Sequence, residues 1–274
     1  MRSQSDAEIA AQAASLAGEL LLQLRHSAAT DTATDSEALR TAGDRDANRA
    51  IMKLLANERP EDSLLSEEAA DDPRRLIAER VWIIDPLDGT REFGEQDSAG
   101  VWRDDFAVHV ALWERGHGLT LGVVGLPARG VIYSSDAPPE VPQSPAGPLR
   151  IAVSRTRPPG FIAALESAGN ATLLPMGSAG VKVMAVVSGE ADAYIHAGGQ
   201  YQWDSAAPVA VARAAGLVAT RLDGSPLKYN VPELLLPDLV VCHPDRADEV
   251  RLLLDAAGFG LDGASGAGAA ESAR

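Results

Sequence analysis

Apolar residues recur at helical spacing over residues 6–26, where Ile9, Ala13, Leu16, Leu20 and Leu24 mark one stripe. That spacing predicts a first helix. Residues 30–43 turn polar and read as a loop. A second stripe of Ile51, Leu54 and Leu55 predicts a helix over 44–59, which Pro60 stops. Two short apolar runs follow, residues 63–65 and 81–84, each the length of a buried strand. Residues 106–113, 119–126 and 130–133 predict successive strands with turn signals between them. Residues 134–148 hold five prolines and little apolar content, which suits an exposed connection. The pattern then resumes with strands over 149–154, 191–196 and 239–242 and helices over 161–168, 178–188, 204–215 and 245–256. The Gly/Ala/Ser-rich residues 258–274 read as a disordered tail. The domains expected are an α+β lobe over 1–148 and an α/β lobe over 149–257 that completes the site. Mixed elements in both lobes indicate an α/β or α+β layered protein.

Composition narrows the partners. The 274 residues are 46% hydrophobic and 23% charged, as in an ordinary globular chain long enough for one large core or two lobes. No apolar run reaches the ~18–20 residues that span a bilayer, and residues 1–14 are too polar for a secretory signal, so no membrane partner is expected. Cys242 is the single cysteine, so no intrachain disulfide can form and a cytoplasmic setting is expected. It lies in the run Leu239-Val240-Val241-Cys242 and reads as a core thiol. A formal charge of −15 argues against nucleic-acid binding. It leaves room for a small anionic substrate, because bound divalent cations would dominate the local field.

Three acidic segments carry the chemistry: Ser66-Glu67-Glu68, Asp85-Pro86-Leu87-Asp88-Gly89-Thr90 and Trp203-Asp204-Ser205-Ala206-Ala207-Pro208. Carboxylates at the ends of apolar strands are costly to desolvate unless they are compensated. Mg²⁺ compensates them, taking a few carboxylates together with substrate phosphate oxygens. Pro86 and Gly89 force a tight turn that can aim Asp85, Asp88 and a backbone carbonyl at one point. Thr90 stands where a hydroxyl can hold an attacking water. The bland reading is a β-turn with solvated aspartates; the strand, proline and threonine in this order argue against it.

These segments resemble the inositol monophosphatase superfamily, whose signatures are a hydrophobic residue before Asp-Pro-Leu/Ile-Asp-Gly-Thr and, later, Trp-Asp with small residues and a proline. The order holds over residues 6–243. The resemblance implies the layered α-β-α-β-α sandwich of the sugar-phosphatase and inositol monophosphatase type, with two or three Mg²⁺ ions. It implies Glu67, Asp85 and the Leu87 carbonyl at one metal, and Asp85, Asp88 and Asp204 at a second. Glu67 and Thr90 would orient the nucleophilic water, helped by Asp44 at a helix start, whose plainer reading is an N-cap. Glu68 is expected in a supporting role, and Trp203 in the core.

Finer features are similar to the CysQ-type 3′(2′),5′-bisphosphate nucleotidases. Gly177-Ser178-Ala179-Gly180-Val181-Lys182 resembles their Gly-Ser-x-x-Lys segment, with one extra residue before Lys182. Ser154-Arg155-Thr156-Arg157 resembles their Ser-Arg-Ser-His segment, with Arg157 in place of histidine. The resemblance therefore implies hydrolysis of the 3′-phosphate of adenosine 3′,5′-bisphosphate to AMP, with 3′-phosphoadenylyl sulfate as a second substrate, in sulfur assimilation. Substrate contacts are expected from Leu87, Asp88, Gly89, Thr90, Arg155, Arg157, Ser178, Lys182 and Asp204. The bland alternatives are a solvated helix lysine and surface arginines. A homodimer stays open. Inositol-1-phosphate and fructose-1,6-bisphosphate are the alternative substrates. An aspartyl-phosphate phosphatase would need Asp-x-Asp, one residue shorter than the Asp85–Asp88 spacing, and a non-catalytic nucleotide sensor would have no need of every carboxylate. The histidines His26, His109, His117, His196 and His243 show no paired spacing for zinc.

Overall fold

A computed structural model of the chain describes residues 4–30, 35–156, 158, 160–162 and 171–259. Among them, ten strands form two five-stranded sheets. The chain begins with helices α1 (Asp6–Thr30) and α2 (Ser36–Glu58). The first sheet contains β1 (Ser63–Ser66), β2 (Arg80–Asp88), β3 (Ala107–Glu114), β4 (Gly118–Leu126) and β5 (Val131–Ser134), in that order across the sheet. Strands β1 and β2 run parallel and the others antiparallel. The second contains β6 (Leu149–Ser154), β7 (Ala171–Met176), β8 (Ala193–Tyr201), β9 (Val218–Thr220) and β10 (Leu235–Cys242), ordered β7-β6-β8-β10-β9. A one-turn helix α3 (Thr90–Phe93) follows β2, and later helices among the described residues include α4 (Ala179–Val187), α5 (Gln202–Ala214) and α6 (Ala247–Ala256).

Three apolar clusters define five layers. Residues of α1 and α2 pack on Trp82, Ile84, Val108 and Val110 of the first sheet. Val81, Ile83, Ala107 and Ala111 on its other face pack with α4 and α5 and with Tyr194, Leu239 and Val241 of the second sheet. The outer face of the second sheet, with Ile151, Ile195 and Val240, is closed by Val250 and Leu254 of α6. The layered α-β-α-β-α architecture is therefore observed. Residues 135–148 form no helix or strand.

Several local expectations are corrected. The buried stripe of α1 is Ile9, Ala10, Ala13, Ala14, Ala17 and Leu21, whereas Leu16 is 38% exposed. Small residues face the sheet because they let the helix come close. Helix α2 starts at Ser36, so Asp44 sits inside a helix and is no N-cap. The polar residues 36–43 are helical because Leu39 and Gly43 extend the buried stripe of Ala47, Ile51 and Leu55 at four-residue spacing. Gly43 is required there: a Cβ would lie 2.7 Å from Phe93 and 3.0 Å from Leu87. That close approach sets Asp44 beside the end of β2. Helix α5 starts at Gln202, which puts Asp204 in its first turn rather than at its cap. The pattern does not show β7, which carries the exposed Thr172 and Pro175, or β9, which is three residues long. The helix expected over 161–168 and the tail over 258–274 lie largely outside the described residues.

Candidate active site

The end of β2 builds the site. Asp85 and Asp88 are three residues apart, which in a regular strand would put them on opposite faces. The ladder with β3 slips here: Asp85 pairs with His109 and Asp88 with Ala107, which leaves Pro86 and Leu87 opposite Val108 alone. This bulge brings both carboxylates to the face that looks toward the second sheet. Asp85 is buried and accepts a 3.0 Å bond from the Leu87 N–H through Oδ1. Oδ2 of Asp88 accepts from Ser178 Oγ at 2.5 Å and from the Gly180 N–H at 2.7 Å. Asp204 accepts the Tyr201 N–H at 2.6 Å through Oδ2. Each aspartate thus has one oxygen fixed by the protein's own donors. Oxygens of Asp85, Asp88 and Asp204 come within 4.8 Å of one another.

Such crowding is unfavourable for bare charges. Burial first, then the charges of Glu67, Asp88 and Asp204, holds the Asp85 carboxyl well above the ordinary range. Burial and the Asp88 charge push Asp204 up to about 8. Glu67 stands at the rim, yet neighbouring atoms desolvate its carboxyl, and with Asp88, Glu68 and Asp44 nearby it rises to about 7. Asp44 rises to about 6, by burial and by the charge of Glu68. An all-oxygen donor set, desolvated and repelling itself, fits a hard divalent cation. The Thr90 hydroxyl lies 3.2 Å from Asp44 Oδ1 and 3.1 Å from the Leu87 carbonyl, so one proton serves two acceptors.

A cleft of about 580 Å³ opens over this cluster, its lining including Asp88, Gly89, Thr90, Arg155, Ser178, Lys182 and Asp204. The structure therefore brings these expected contacts together. Two of the cations are already engaged. The Lys182 ammonium is buried and donates to the Gly177 and Ser178 carbonyls at 2.8 and 2.6 Å, propping the turn that precedes α4. Arg155 bridges Glu92 and Glu95, each at 2.6 Å. Arg157 lies outside the described residues. Trp203 is 7% exposed and sits in the inter-sheet core, and Cys242 is buried in the outer core.

The motifs gave no sign of His109. It is fully buried on β3, with Nε2 3.3 Å from Asp88 Oδ2 and Nδ1 3.3 Å from the Trp203 carbonyl. It touches one acidic segment and the backbone before the other. Burial lowers its pKa, so the imidazole is neutral. A Cβ on Gly180 would fall 2.0 Å from Nε2, so only glycine lets α4 start this close. The available signal was a histidine on the inward register of a strand otherwise apolar on both faces (Ala107, His109, Ala111).

The chain is similar to known proteins. The model of the inositol monophosphatase family matches residues 3–253. A 3′-phosphoadenosine 5′-phosphate phosphatase of Mycobacterium tuberculosis is 50% identical over 251 residues, covering 88% of each chain. The 3′(2′),5′-bisphosphate nucleotidase CysQ of Escherichia coli K12 is 33% identical over 210 residues, 72% of this chain and 81% of that one. The crystal structure of CysQ from Bacteroides thetaiotaomicron superposes with a TM-score of 0.73 at 30% identity, covering 87% of this chain and 97% of that one.

Proposed function

The chain belongs to the inositol monophosphatase family, and from that membership we propose that it removes the 3′-phosphate of adenosine 3′,5′-bisphosphate, giving AMP and phosphate. In the same reading 3′-phosphoadenylyl sulfate is a second substrate, released as adenylyl sulfate, and the setting is sulfur assimilation in the cytoplasm. No helix among the described residues is long and apolar enough to cross a membrane. The reading is carried by the convergence of Asp85, Asp88 and Asp204 under a cleft of nucleotide size, in a chain half identical to a phosphatase named for this nucleotide.

Asp85, Asp88, Asp204, Glu67 and the Leu87 carbonyl are the groups that would hold Mg²⁺. When bound, the ions would lower the pKa of a water and neutralise charge on the phosphoryl oxygens. The protein's own part is positioning. Thr90 donates its hydroxyl proton to Asp44 or to the Leu87 carbonyl, which leaves its oxygen to accept from a water. Glu67, on the open side, fixes the second hydrogen of that water. The start of α4 turns its helix dipole toward the phosphate, in a turn held by Ser178 and Lys182. Asp204, in the first turn of α5, lies on the side toward which the 3′-oxygen departs.

One observation favours broader substrates. Arg155 already spends its charge on Glu92 and Glu95, so it reaches a 5′-phosphate only by leaving them. A broad-specificity inositol or fructose-bisphosphate phosphatase has no such need. The two readings separate by phosphate release from adenosine 3′,5′-bisphosphate, inositol-1-phosphate and fructose-1,6-bisphosphate, with Mg²⁺ titrated against a chelator. The expected order puts the nucleotide first in kcat/KM by at least tenfold. Equal or greater turnover of either sugar phosphate would contradict it.

A further inference from the structure

One wall of the cleft is built by β8. Tyr194, His196 and Gln200 all line the cleft, together with Gly199. Their cross-strand partners on β10 are Val241, Leu239 and Leu236, and all three pack in the inter-sheet core. Directly paired residues on antiparallel strands share a face. The extra residue that the ladder takes up between Ala197 and Gln200 therefore returns Gln200 to the side of Tyr194 and His196.

Gln200 is 94% buried, since its exposure is 6%. Neither its amide nitrogen nor its amide oxygen has a hydrogen-bond partner. Buried side-chain amides are nearly always bonded, and one left with both ends unmet is destabilising. The neighbouring Gln202, on the far side of the same turn, is by contrast saturated: it donates to the Val231 and Glu233 carbonyls and accepts the Asn230 N–H. The unmet amide of Gln200 is one that the cleft borders.

We infer that Gln200 is a specificity-determining residue that holds the nucleobase of the substrate by its edge, resting on the nucleotidase reading above. A primary amide offers one donor and one acceptor side by side. Adenine offers the complement, an amino group next to a ring nitrogen, and glutamine pairs with it in this bidentate way. The imidazole of His196 stands on the same wall, where a flat base can lie against it. The 3′-phosphate then lies at the Asp204 end of the cleft while the base occupies the β8 wall. An inositol ring, lacking such an edge, leaves the amide unmet.

Gln200→Leu, with Gln200→Met as a second isostere, tests this in the full chain. KM for adenosine 3′,5′-bisphosphate should rise about tenfold, the usual discrimination for one bidentate base contact, with kcat within about twofold. The inhibition constant of inorganic phosphate should not change. The Tm without ligand should hold or rise by about 2 °C, because an unmet buried amide has been removed. An unchanged KM would overturn the assignment. So would a fall in Tm with equal weakening of nucleotide and phosphate, which would mark Gln200 as a structural group. If the unaltered protein fails to release phosphate from the nucleotide at all, the nucleotidase reading itself falls, and this inference with it.

Discussion

Asp88 gives one carboxylate oxygen to Ser178, to the Gly180 N–H and to the neighbourhood of His109. The donors come from the start of α4 and the aspartate from β2, so one oxygen ties the two elements together. Asp85 and Asp204 are fixed by one N–H apiece. Replacing Asp85 or Asp204 by Asn should abolish phosphate release, since an amide is a poorer donor to a hard cation. The metal-free variants should melt no lower than the parent, because a repelling charge has gone; this is read by calorimetry with chelator present. Near-normal kcat at saturating Mg²⁺ would contradict the ligand assignment. Glu67→Gln should lower kcat by ~10²-fold or more, the range for a group that handles the water proton, with little change in KM. The acidic residues were legible in sequence because strand, Pro, Gly and Thr occur in a fixed order. His109 and Gln200 were not, since each acts alone and is given meaning only by what another strand brings beside it.

At the scale of elements, the placement of Asp204 depends on how closely α5 lies against the first sheet. A Cβ on Gly122 would fall 2.5 Å from the Ala207 carbonyl and 2.6 Å from Ala210, with no flexible side chain to give way. Gly122→Ala should therefore cost about 1–3 kcal/mol as overpacking. It should also reduce turnover by displacing Asp204. The start of α5 is held by a second device: Asn230 accepts from Arg75 at 2.8 Å and gives its N–H to Gln202 at 2.6 Å. Asn230→Ala leaves the buried Arg75 short of an acceptor, and denaturant titration should show a loss of ~1–3 kcal/mol. Strands β2, β3, β4, β6 and β10 were legible because they are apolar runs bounded by turns. The early start of α2 was not, because its inward face is built from Gly43 and Ala47 as much as from large residues. The bulge that turns Asp85 and Asp88 to one side leaves no mark in composition; it follows from pairing with β3.

At the scale of the molecule, an acidic protein folds around a self-repelling site, and the consequences follow in pH. Asp44, Glu67 and Asp204 have folded-state pKa values of about 6, 7 and 8, all raised above their ordinary values. A group raised in this way favours the fold while protonated, and that contribution is lost as pH rises through the folded value. The metal-free protein should therefore lose stability between pH 6 and 8. Mg²⁺ should restore it, with a larger rise in Tm at pH 8 than at pH 6, because the ion binds deprotonated ligands. An apo Tm that climbs over this interval would show that the carboxylates do not share one desolvated site. The cleft over the acidic cluster also predicts which bond breaks. Phosphorus NMR of adenosine 3′,5′-bisphosphate during turnover with Mg²⁺ reads this directly. The expected products are 5′-AMP and inorganic phosphate alone, with turnover stopped by chelator and restored by Mg²⁺. Accumulation of 3′-AMP, or turnover indifferent to the chelator, would contradict the account.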